Sequence, residues 1–276
     1  MLGGSGFIGG HLIAALRARG EEVVVGSLRD PRAAADLAMT CEIVVNLAGE
    51  PIAQRWSPAV KERLASSRID RGREFIDALA FQPRRPRAYI AASAIGYYGT
   101  SESATFDEES PHGDDFLGML CLHWEATSLR ALELGMRVVL VRSGAVLGSD
   151  GGVLARLLPL FGLGLGGRIG SGRQWFSWIH LADQIGIYLA AIDRGDGVLN
   201  ATAPNPVTNA DFTEALARAL KRPALFPVPA LALRALLGEG AIVALEGQRV
   251  LPKRTLELGY RFLYPQIDGA LGALHR

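Results

Sequence analysis

The sequence predicts an α/β fold in which a doubly wound parallel sheet is followed by a smaller carboxyl-terminal lobe. β-branched runs alternate with helical segments through the first half of the chain. A glycine-rich turn opens the chain and leads directly into a helix, and after about residue 145 the strands shorten and glycines become frequent. We therefore assign residues 1–147 to the sheet domain and residues 148–276 to a smaller α+β lobe that faces the substrate, with some exchange of elements between them.

The opening stretch places Gly3, Gly6 and Gly9 three residues apart, immediately before helical sequence. Such a turn exposes backbone N–H groups at the positive end of a helix dipole, where phosphate binds. Gly3 would permit the tight turn, Gly6 the close approach of a pyrophosphate, and Gly9 the packing of the helix on the sheet. The turn therefore predicts a phosphate site, with a flexible amino terminus as the alternative.

Only Met1 and Leu2 precede this turn, whereas a strand needs about five residues. We therefore expect the first strand of the sheet to be truncated and the chain to begin downstream of its natural start. Binding at the turn would then depend on how the chain starts.

The other elements follow from local patterns. Continuous apolar runs predict buried strands over residues 22–27, 42–47, 88–93 and 137–142. Helices are expected over residues 31–37, 57–79 and 115–134, the second beginning with the N-cap and proline of Ser57–Pro58. In the smaller lobe, we expect helices over residues 153–161, 181–193 and 209–220 and strands over residues 175–180 and 198–201.

The composition excludes several classes of partner. The chain has 29 basic and 28 acidic residues and no long block of like charge, so neither a nucleic acid nor a membrane is expected as a partner. Cys41 and Cys121 are the only cysteines, which indicates no disulfide framework, no metal site and a cytoplasmic location. The remaining partner is a small-molecule substrate.

Five motifs occur in a characteristic order: GGSGFIG (3–9), NLAG (46–49), SAIGYYG (93–99), RSGAVLG (142–148) and WIHLAD (178–183). Together they resemble the extended short-chain dehydrogenase/reductases, which include nucleotide-sugar epimerases and dehydratases. EGQRVLP (246–252) and GLGLGG (162–167) make the chain more narrowly similar to the YfcH-like epimerase family. The resemblance implies a Rossmann fold that holds a nicotinamide dinucleotide across the carboxyl ends of its strands.

The resemblance also implies which residues hold the dinucleotide. The pyrophosphate would lie on the opening turn, the adenosine ribose and phosphates along the loop after residue 46, and the nicotinamide nearer residues 143–146. The implied residues are Gly3, Ser5, Gly6, Phe7, Ile8, Leu47, Ala48, Gly49, Ser143 and Val146.

Arg29 bears on the choice between NADP(H) and NAD(H). An acidic residue at the end of the second strand would accept hydrogen bonds from the ribose and repel a 2′-phosphate. Arg29 stands there instead, and its forked guanidinium suits a phosphate. NADP(H) is therefore favoured over NAD(H), although an ordinary exposed loop arginine is the alternative interpretation.

The family usually carries a Tyr-x-x-x-Lys dyad and a strand-end serine, and the corresponding positions here hold Leu117, Cys121 and Ala94. Proton transfer at a carbinol needs a titratable group within reach, so we predict Ser93 and Tyr97 as catalytic replacements. Other groups near the site are Tyr98, His123 and His180, each of which a structural role would also explain. Cys121 would act only as an activated thiol, and no lysine of its helix activates it.

Trp178 and His180 are the predicted substrate-binding residues, because they lie in an aromatic segment where extended members of the family bind substrate. Packing within the lobe is the alternative for Trp178, and capping of the next helix is the alternative for His180. The arginine that often clamps a nucleotide-sugar diphosphate is not evident beside this segment, which disfavours UDP- or GDP-sugars.

Three functions stay open. The chain is an NADP(H)-binding oxidoreductase or epimerase-like protein with an unknown small substrate, or a non-catalytic NADP(H)-binding sensor or scaffold. The third possibility is that the truncated first strand prevents dinucleotide binding. Helices 57–79 and 115–134 would permit either a monomer or a homodimer.

Overall fold

The computed structural model describes residues 1–275. Its helices are α1 (Phe7–Ala18), α2 (Pro31–Ala38), α3 (Pro58–Ser66), α4 (Asp70–Ala80), α5 (Phe116–Leu129), α6 (Leu154–Gly162), α7 (Leu181–Asp193), α8 (Asn209–Leu220), α9 (Ala230–Leu237), α10 (Ile242–Leu245), α11 (Lys253–Glu257) and α12 (Ile267–Gly272). Short 3-10 turns span Ile95–Tyr98, Arg130–Leu134, Glu239–Ala241 and Ala273–His275. The strands are β1 (Ile43–Asn46), β2 (Ala88–Ala94), β3 (Thr105–Phe106), β4 (Arg137–Ser143), β5 (Ala145–Gly148), β6 (Gly151–Gly152), β7 (Trp175–Phe176), β8 (Trp178–His180), β9 (Gly197–Ala201), β10 (Val207–Thr208) and β11 (Arg249–Val250).

The central sheet has the order β1-β2-β4-β9, and every neighbouring pair is parallel. α1 and α7 cover one face of the sheet, and α2 and α4 pack against the other. Helices on both faces of a parallel sheet are the doubly wound arrangement, which the connections between successive strands require. The predicted Rossmann-like α/β class is confirmed.

Met1 and Leu2 occupy the sheet position next to β1. Leu2 bridges Asn46 on one side and Gly26 on the other, and both bridges are parallel. Its N–H donates to Val45 at 2.8 Å, and its carbonyl accepts from the N–H of Leu47 at 2.9 Å. Two residues therefore lie where the first strand of the doubly wound sheet was expected.

The strand predicted over residues 22–27 is wrong as a regular strand. Only Gly26 forms a bridge, to Leu2, and Val25 is half exposed. A strand is defined by its ladder of backbone hydrogen bonds. The neighbouring segment provides only Met1 and Leu2 for pairing, so the ladder stops at one bridge.

The single helix predicted over residues 57–79 is also wrong, because the structure has α3 and α4 separated at residues 67–69. The predicted cap is present, since the Ser57 hydroxyl accepts from the N–H of Val60. At the break, the Ser67 hydroxyl accepts from the N–H of Glu50, and Arg68 donates to the Glu50 carbonyl. The helix is interrupted where these side chains bind the loop that follows β1.

Beside the large sheet, the structure has the three-stranded sheet β6-β5-β8 and the two-stranded sheets β10-β7 and β11-β3. The strand predicted over residues 175–180 divides at Ser177 into β7 and β8, which belong to different sheets. The Ser177 hydroxyl donates to the carbonyl of Gln248 and accepts from the N–H of Val250. Contacts with a distant segment therefore replace strand pairing at this residue.

β9 and α7 follow residue 147 in the chain but belong to the large sheet and its helical layer. The division at residue 147, with some exchange of elements between the lobes, stays a prediction. Within residues 1–275 no helix has the length and apolar character needed to cross a membrane.

Candidate functional site

The opening turn lies at the carboxyl edge of the sheet and is closely packed. Gly3 has a φ of 76°, and a Cβ there would come within 2.6 Å of the carbonyl carbon of Leu47. A Cβ on Gly9 would overlap the carbonyl oxygen of Gly3. Only glycine combines this backbone conformation with such an approach. The two positions hold the turn, the loop after β1 and the start of α1 together.

The start of α1 is open to an anion. Gly6 is the N-cap and provides no side-chain hydrogen bond to the first turn of the helix. A Cβ at Gly6 would meet only the carbonyl oxygen of Gly3, at 3.3 Å. Ser5 is exposed, and Phe7 and Ile8 are half-buried. Since the first N–H groups of a helix lack partners within it, this end suits a phosphate.

Phe7 connects the opening turn to the hairpin of β5 and β6. Its ring lies against Gly148 and Gly151, where any side chain would collide with it. Val146 in β5 is buried and belongs to the same core cluster that Phe7 contacts. The hairpin of β5 and β6 is thereby held beside the phosphate turn. Ser143, at the end of β4, accepts a hydrogen bond from the buried Gln184 of α7 at 3.0 Å.

The loop after β1 forms the second side of this site. The Asn46 carboxamide oxygen accepts from the N–H of Ala48 at 3.0 Å, and its nitrogen donates to the hydroxyl of Tyr89. Gly49 lies against the guanidinium of Arg68, where a Cβ would come within 2.9 Å of Cζ. Leu47, Ala48 and Gly49 therefore line one continuous edge with the opening turn.

Arg29 is exposed and lies just before α2. Its backbone N–H donates to the hydroxyl of Ser27 at 3.2 Å, which fixes the turn that carries it. Arg29 therefore lies where it was predicted, just after residues 22–27, although those residues do not form a regular strand.

A buried polar network lies next to the carboxyl ends of β2, β4 and β9. Arg142 donates through Nε and Nη2 to the two carboxylate oxygens of Glu125, each at 2.7 Å. Ser93 donates to the same carboxylate at 2.5 Å. Tyr98 accepts from Arg142 at 2.9 Å and donates to Asn200 at 2.7 Å. Burial raises the pKa of Tyr98 to about 12, against the opposing effect of Arg142.

The two predicted catalytic residues occupy different surroundings. The Ser93 hydroxyl is buried and bound to Glu125. Tyr97 is half-buried in the turn after β2, with its ring centroid 3.4 Å from Cζ of Arg142 and 6.0 Å from the ring of His112. Tyr97 is therefore the more accessible of the two, and both assignments stay predictions.

The positions expected for the dyad face the turn after β2. A Cβ on Gly96 would lie 3.3 Å from Cβ of Leu117 and 3.9 Å from Sγ of Cys121. Cys121 is only 3% exposed. Burial, and next the charge of Glu125, raise its pKa to about 12. Because the thiolate is the reactive form, Cys121 is unsuited to proton transfer near neutral pH.

The structure places the two predicted substrate-binding residues within packed surroundings. Trp178 has no exposed surface, and its indole N–H donates to the carbonyl of Asn205. His180 caps α7 by accepting from the N–H of Ala182, and its ring lies 4.0 Å from that of Tyr264. Burial lowers the pKa of His180. Trp178 thus has the packing role and His180 the capping role that were the alternatives to substrate binding. Contact of either residue with a substrate stays a prediction.

Within residues 1–275, no group of three or more histidine, cysteine, aspartate or glutamate side chains is arranged to hold a metal ion. The site residues that sequence reasoning missed are Arg68, Glu125, Arg142 and Gln184. One signal for Glu125 was available, because it is the only acidic residue within the apolar α5. Arg142 gave a similar signal, because it follows the apolar run of residues 138–141 in β4 and is the penultimate residue of that strand.

Two family models match the chain. The model described as the NAD dependent epimerase/dehydratase family matches residues 1–203. A domain of unknown function, DUF1731, matches residues 228–274. The first match covers the large sheet and the site at its edge, and the second covers the segment from just before α9 to the last helical turn.

Several relatives are similar over most of their length. The chain is 48% identical over 235 residues to the chloroplastic epimerase family protein SDR39U1 homolog of Arabidopsis thaliana, covering 84% of this chain and 67% of that one. It is 43% identical to the epimerase family protein SDR39U1 of Bos taurus, covering 98% and 96% of the two chains.

The solved structures agree with the fold. The human epimerase family protein SDR39U1, crystallised with NADPH, is 38% identical with a TM-score of 0.91, over 99% of this chain and 97% of the human one. A UDP-glucose 4-epimerase from Thermus thermophilus in complex with NAD has a TM-score of 0.80 at 19% identity, over 99% and 96% of the chains. This second likeness supports the fold alone.

Proposed function

The chain belongs to the NAD dependent epimerase/dehydratase family, and on that premise we propose that it binds NADP(H) at the opening turn and acts as an oxidoreductase or epimerase-like enzyme on a small molecule. The observation that carries the proposal is the uncapped start of α1, held by Gly3 and Gly9 beside the loop after β1. A relative of 38% identity carries NADPH in its crystal structure, which supports the same ligand here.

The residues at the site fit a phosphorylated dinucleotide. The first turn of α1 offers N–H groups to the pyrophosphate, and the exposed Gly6 carries no side chain that would cover them. Leu47, Ala48 and Gly49 form the adjacent edge for the adenosine side. Arg29 is exposed and stands where an acidic residue would repel a 2′-phosphate. The carboxylate of the adjacent Asp30 caps α2 by accepting from the N–H of Ala33. We therefore favour NADP(H) over NAD(H).

A bound nicotinamide would supply hydride transfer, and a side chain of the protein would then have to donate or accept the accompanying proton. Tyr97 is the proposed proton donor, because its phenol is half-buried at the edge of the site. Arg142, held by Glu125, presents a fixed positive charge to the face of its ring. Ser93 donates its own proton to Glu125, so its proposed contribution is to position this pair rather than to exchange protons with substrate.

The second candidate function is a non-catalytic NADP(H)-binding sensor or scaffold. It is favoured by Leu117 and Cys121, which stand where the family's dyad is expected, and by the raised pKa of Cys121. A cytoplasmic location, a small-molecule substrate and a monomeric or homodimeric state remain parts of the proposal that rest on the sequence.

Loss of label from NADPH separates a net oxidoreductase from the non-catalytic sensor. The protein is incubated with [4-²H]NADPH and a metabolite extract, and stereospecific label loss is measured by mass spectrometry. A net oxidoreductase should show label loss that Tyr97→Phe lowers at least about tenfold while NADPH still binds, with Ser93→Ala as the second variant. Bound NADPH without label loss favours the sensor over a net oxidoreductase, and unchanged turnover in both variants removes these two residues from the mechanism.

A further inference from the structure

A group of apolar side chains, which we call the apolar wall, lies beside the turn that carries Tyr97. Its members are half-buried and pack against buried residues of α3, α5 and the loop after β1: Ile52, Phe116, Leu117 and Ile242. Leu117 reaches the turn itself, because a Cβ on Gly96 would lie 3.3 Å from the Cβ of Leu117. Since each member keeps part of its surface accessible, the wall is an apolar surface next to the proposed proton donor.

Segments that are distant in the chain hold the apolar wall together around Trp56. The Trp56 backbone N–H donates to the carbonyl of Leu237 at 3.2 Å. A Cβ on Gly240 would collide with the carbonyl of Gln54, so the segment before α10 lies directly on the loop after β1. The Trp56 ring also packs against the ring of Phe116, with the two centroids 5.2 Å apart. These contacts fix the wall without filling the space beside the turn after β2.

The wall includes a position where the family carries a polar group. Leu117 stands where the dyad tyrosine is expected, and Cys121, one helical turn further, stands where the lysine is expected. A Cβ on Gly96 would lie 3.9 Å from the Cys121 sulfur. Because burial raises the pKa of Cys121, its thiol is uncharged near neutral pH. The surface of α5 that faces the turn after β2 is therefore apolar and neutral.

Two cations lie beside the wall and Tyr97, and each has a carboxylate partner. Lys61 lies 5.0 Å from the centroid of the wall's aromatic ring and forms an ion pair with Glu239. Arg142 lies 3.4 Å from the centroid of the Tyr97 ring and binds both carboxylate oxygens of Glu125. A phosphate group is bound most strongly by cations that can donate charge-assisted hydrogen bonds to it. Here the acidic partners already engage these cations.

We propose that the substrate is an apolar carbonyl or carbinol compound, with an aromatic or branched aliphatic group that packs against the apolar wall. This inference rests on the proposed function and names the substrate class for the same site. Such a ligand would direct its oxygen toward Tyr97 and its apolar group toward Leu117 and Phe116. Removing both apolar surfaces from water stabilises the complex in proportion to the area covered. A nucleotide-sugar would bring phosphates to an apolar surface, where charge is poorly solvated.

Equilibrium binding of two matched ketones tests the inference. Acetophenone and hydroxyacetone are both methyl ketones and carry a phenyl or a hydroxymethyl group on the other side. Their dissociation constants, and that of UDP-glucose, are measured by saturation-transfer NMR on protein saturated with NADP⁺, which cannot reduce a ketone. We expect acetophenone to bind at least about tenfold more tightly than either other ligand. Phe116→Ser and Ile242→Ser should each lower this preference at least about threefold, whereas the control Leu132→Ser, at a 54% exposed leucine after α5, should keep it.

The outcomes separate this inference from the proposed function. NADP⁺ affinity, measured by calorimetry on the same samples, should be equal in the unchanged protein and the three variants. If one wall variant does not fold and bind NADP⁺, the other decides. Failure of the unchanged protein to bind NADP⁺ contradicts the proposed function itself. Bound NADP⁺ with equal affinities for the two ketones, with no binding of either ketone, or with tighter binding of UDP-glucose overturns the inference alone. A preference that Leu132→Ser lowers as much as the wall variants also overturns it.

Discussion

Glu125 of α5 and Arg142 of β4 form a two-pronged ion pair with both side chains almost fully buried, at 5% and 4% exposure. Burial alone would lower the pKa of Arg142, but the hydrogen bonds and charge of Glu125 outweigh it and raise that pKa. Ser93, Tyr97 and Tyr98 all contact this pair. The pair therefore links α5 to the ends of the strands at the proposed active site.

Removal of the Glu125 charge should destabilise the fold strongly. Glu125→Ala leaves Arg142 buried without its partner, and breaking such a pair costs about 3–5 kcal/mol. The free energy of unfolding is measured by urea titration. The control is Asp77→Ala, which breaks the exposed pair of Arg130 and Asp77 and should cost about 1 kcal/mol or less. Equal effects of the two variants would contradict the structural importance of the buried pair.

Stability should fall at alkaline pH. Burial raises the pKa of Tyr89 and Tyr98 from 10 to about 12 and that of Cys121 from 9 to about 12. The folded state therefore holds these protons more tightly than the unfolded state, and raising the pH favours unfolding. Their stabilisation is complete below pH 9 and is lost between about pH 9 and 12, with a limiting slope of about 1.4 kcal/mol per pH unit for each proton.

Urea unfolding at pH 8, 9, 10 and 10.5 measures this dependence. Tyr98→Phe removes one of the titrating groups and should give a shallower decline. A free energy of unfolding that stays constant to pH 10.5 would show that these groups ionise as readily in the folded protein as in the unfolded one.

The opening turn should tolerate alanine at one helical glycine and not at another. Gly9→Ala places a methyl group into the carbonyl of Gly3, whereas Gly10→Ala meets no atom within 4 Å. We expect Gly9→Ala to lose NADPH binding and to lower the melting temperature. Gly10→Ala should keep binding and gain up to about 1 kcal/mol from helix propensity. Binding is measured by NADPH fluorescence, and normal affinity in Gly9→Ala would exclude this turn as the phosphate site.

Arg29 should determine the preference for NADPH. Arg29→Ala is expected to weaken NADPH about tenfold by removing a charge-assisted phosphate contact, and to leave NADH unchanged. Arg17→Ala is the control, because Arg17 is exposed at the opposite end of α1. The affinities of each variant for NADPH and NADH are measured by calorimetric titration. An equal effect on NADPH and NADH would assign Arg29 a role that does not involve the 2′-phosphate.

The sequence predicted elements whose signals are local. Ser57 caps α3 as predicted, and Asp115 and Thr208, which are residue types that favour the N-cap, cap α5 and α8 close to the predicted starts of these helices. β1, β2 and β4 coincide with continuous apolar runs, since strands buried on both faces have that composition. These patterns carry their information within a few residues, and this accounts for the agreement.

The differences arise where a distant segment decides the local structure. The break before α4 depends on contacts of Ser67 and Arg68 with Glu50, and the division at Ser177 depends on Gln248 and Val250. No local pattern reports such contacts. The same limit applies to the site, because Arg68 lies in polar helical sequence among other arginines, and only folding brings it against Gly49 and Trp124.

The most direct measurement of the central claim is calorimetric titration of the purified protein with NADPH and with NADH. We predict saturable binding of one NADPH per chain, with an affinity at least about tenfold higher than for NADH. Equal affinities would contradict the assignment of NADP(H), and absence of binding by both dinucleotides would contradict the proposed role of the opening turn.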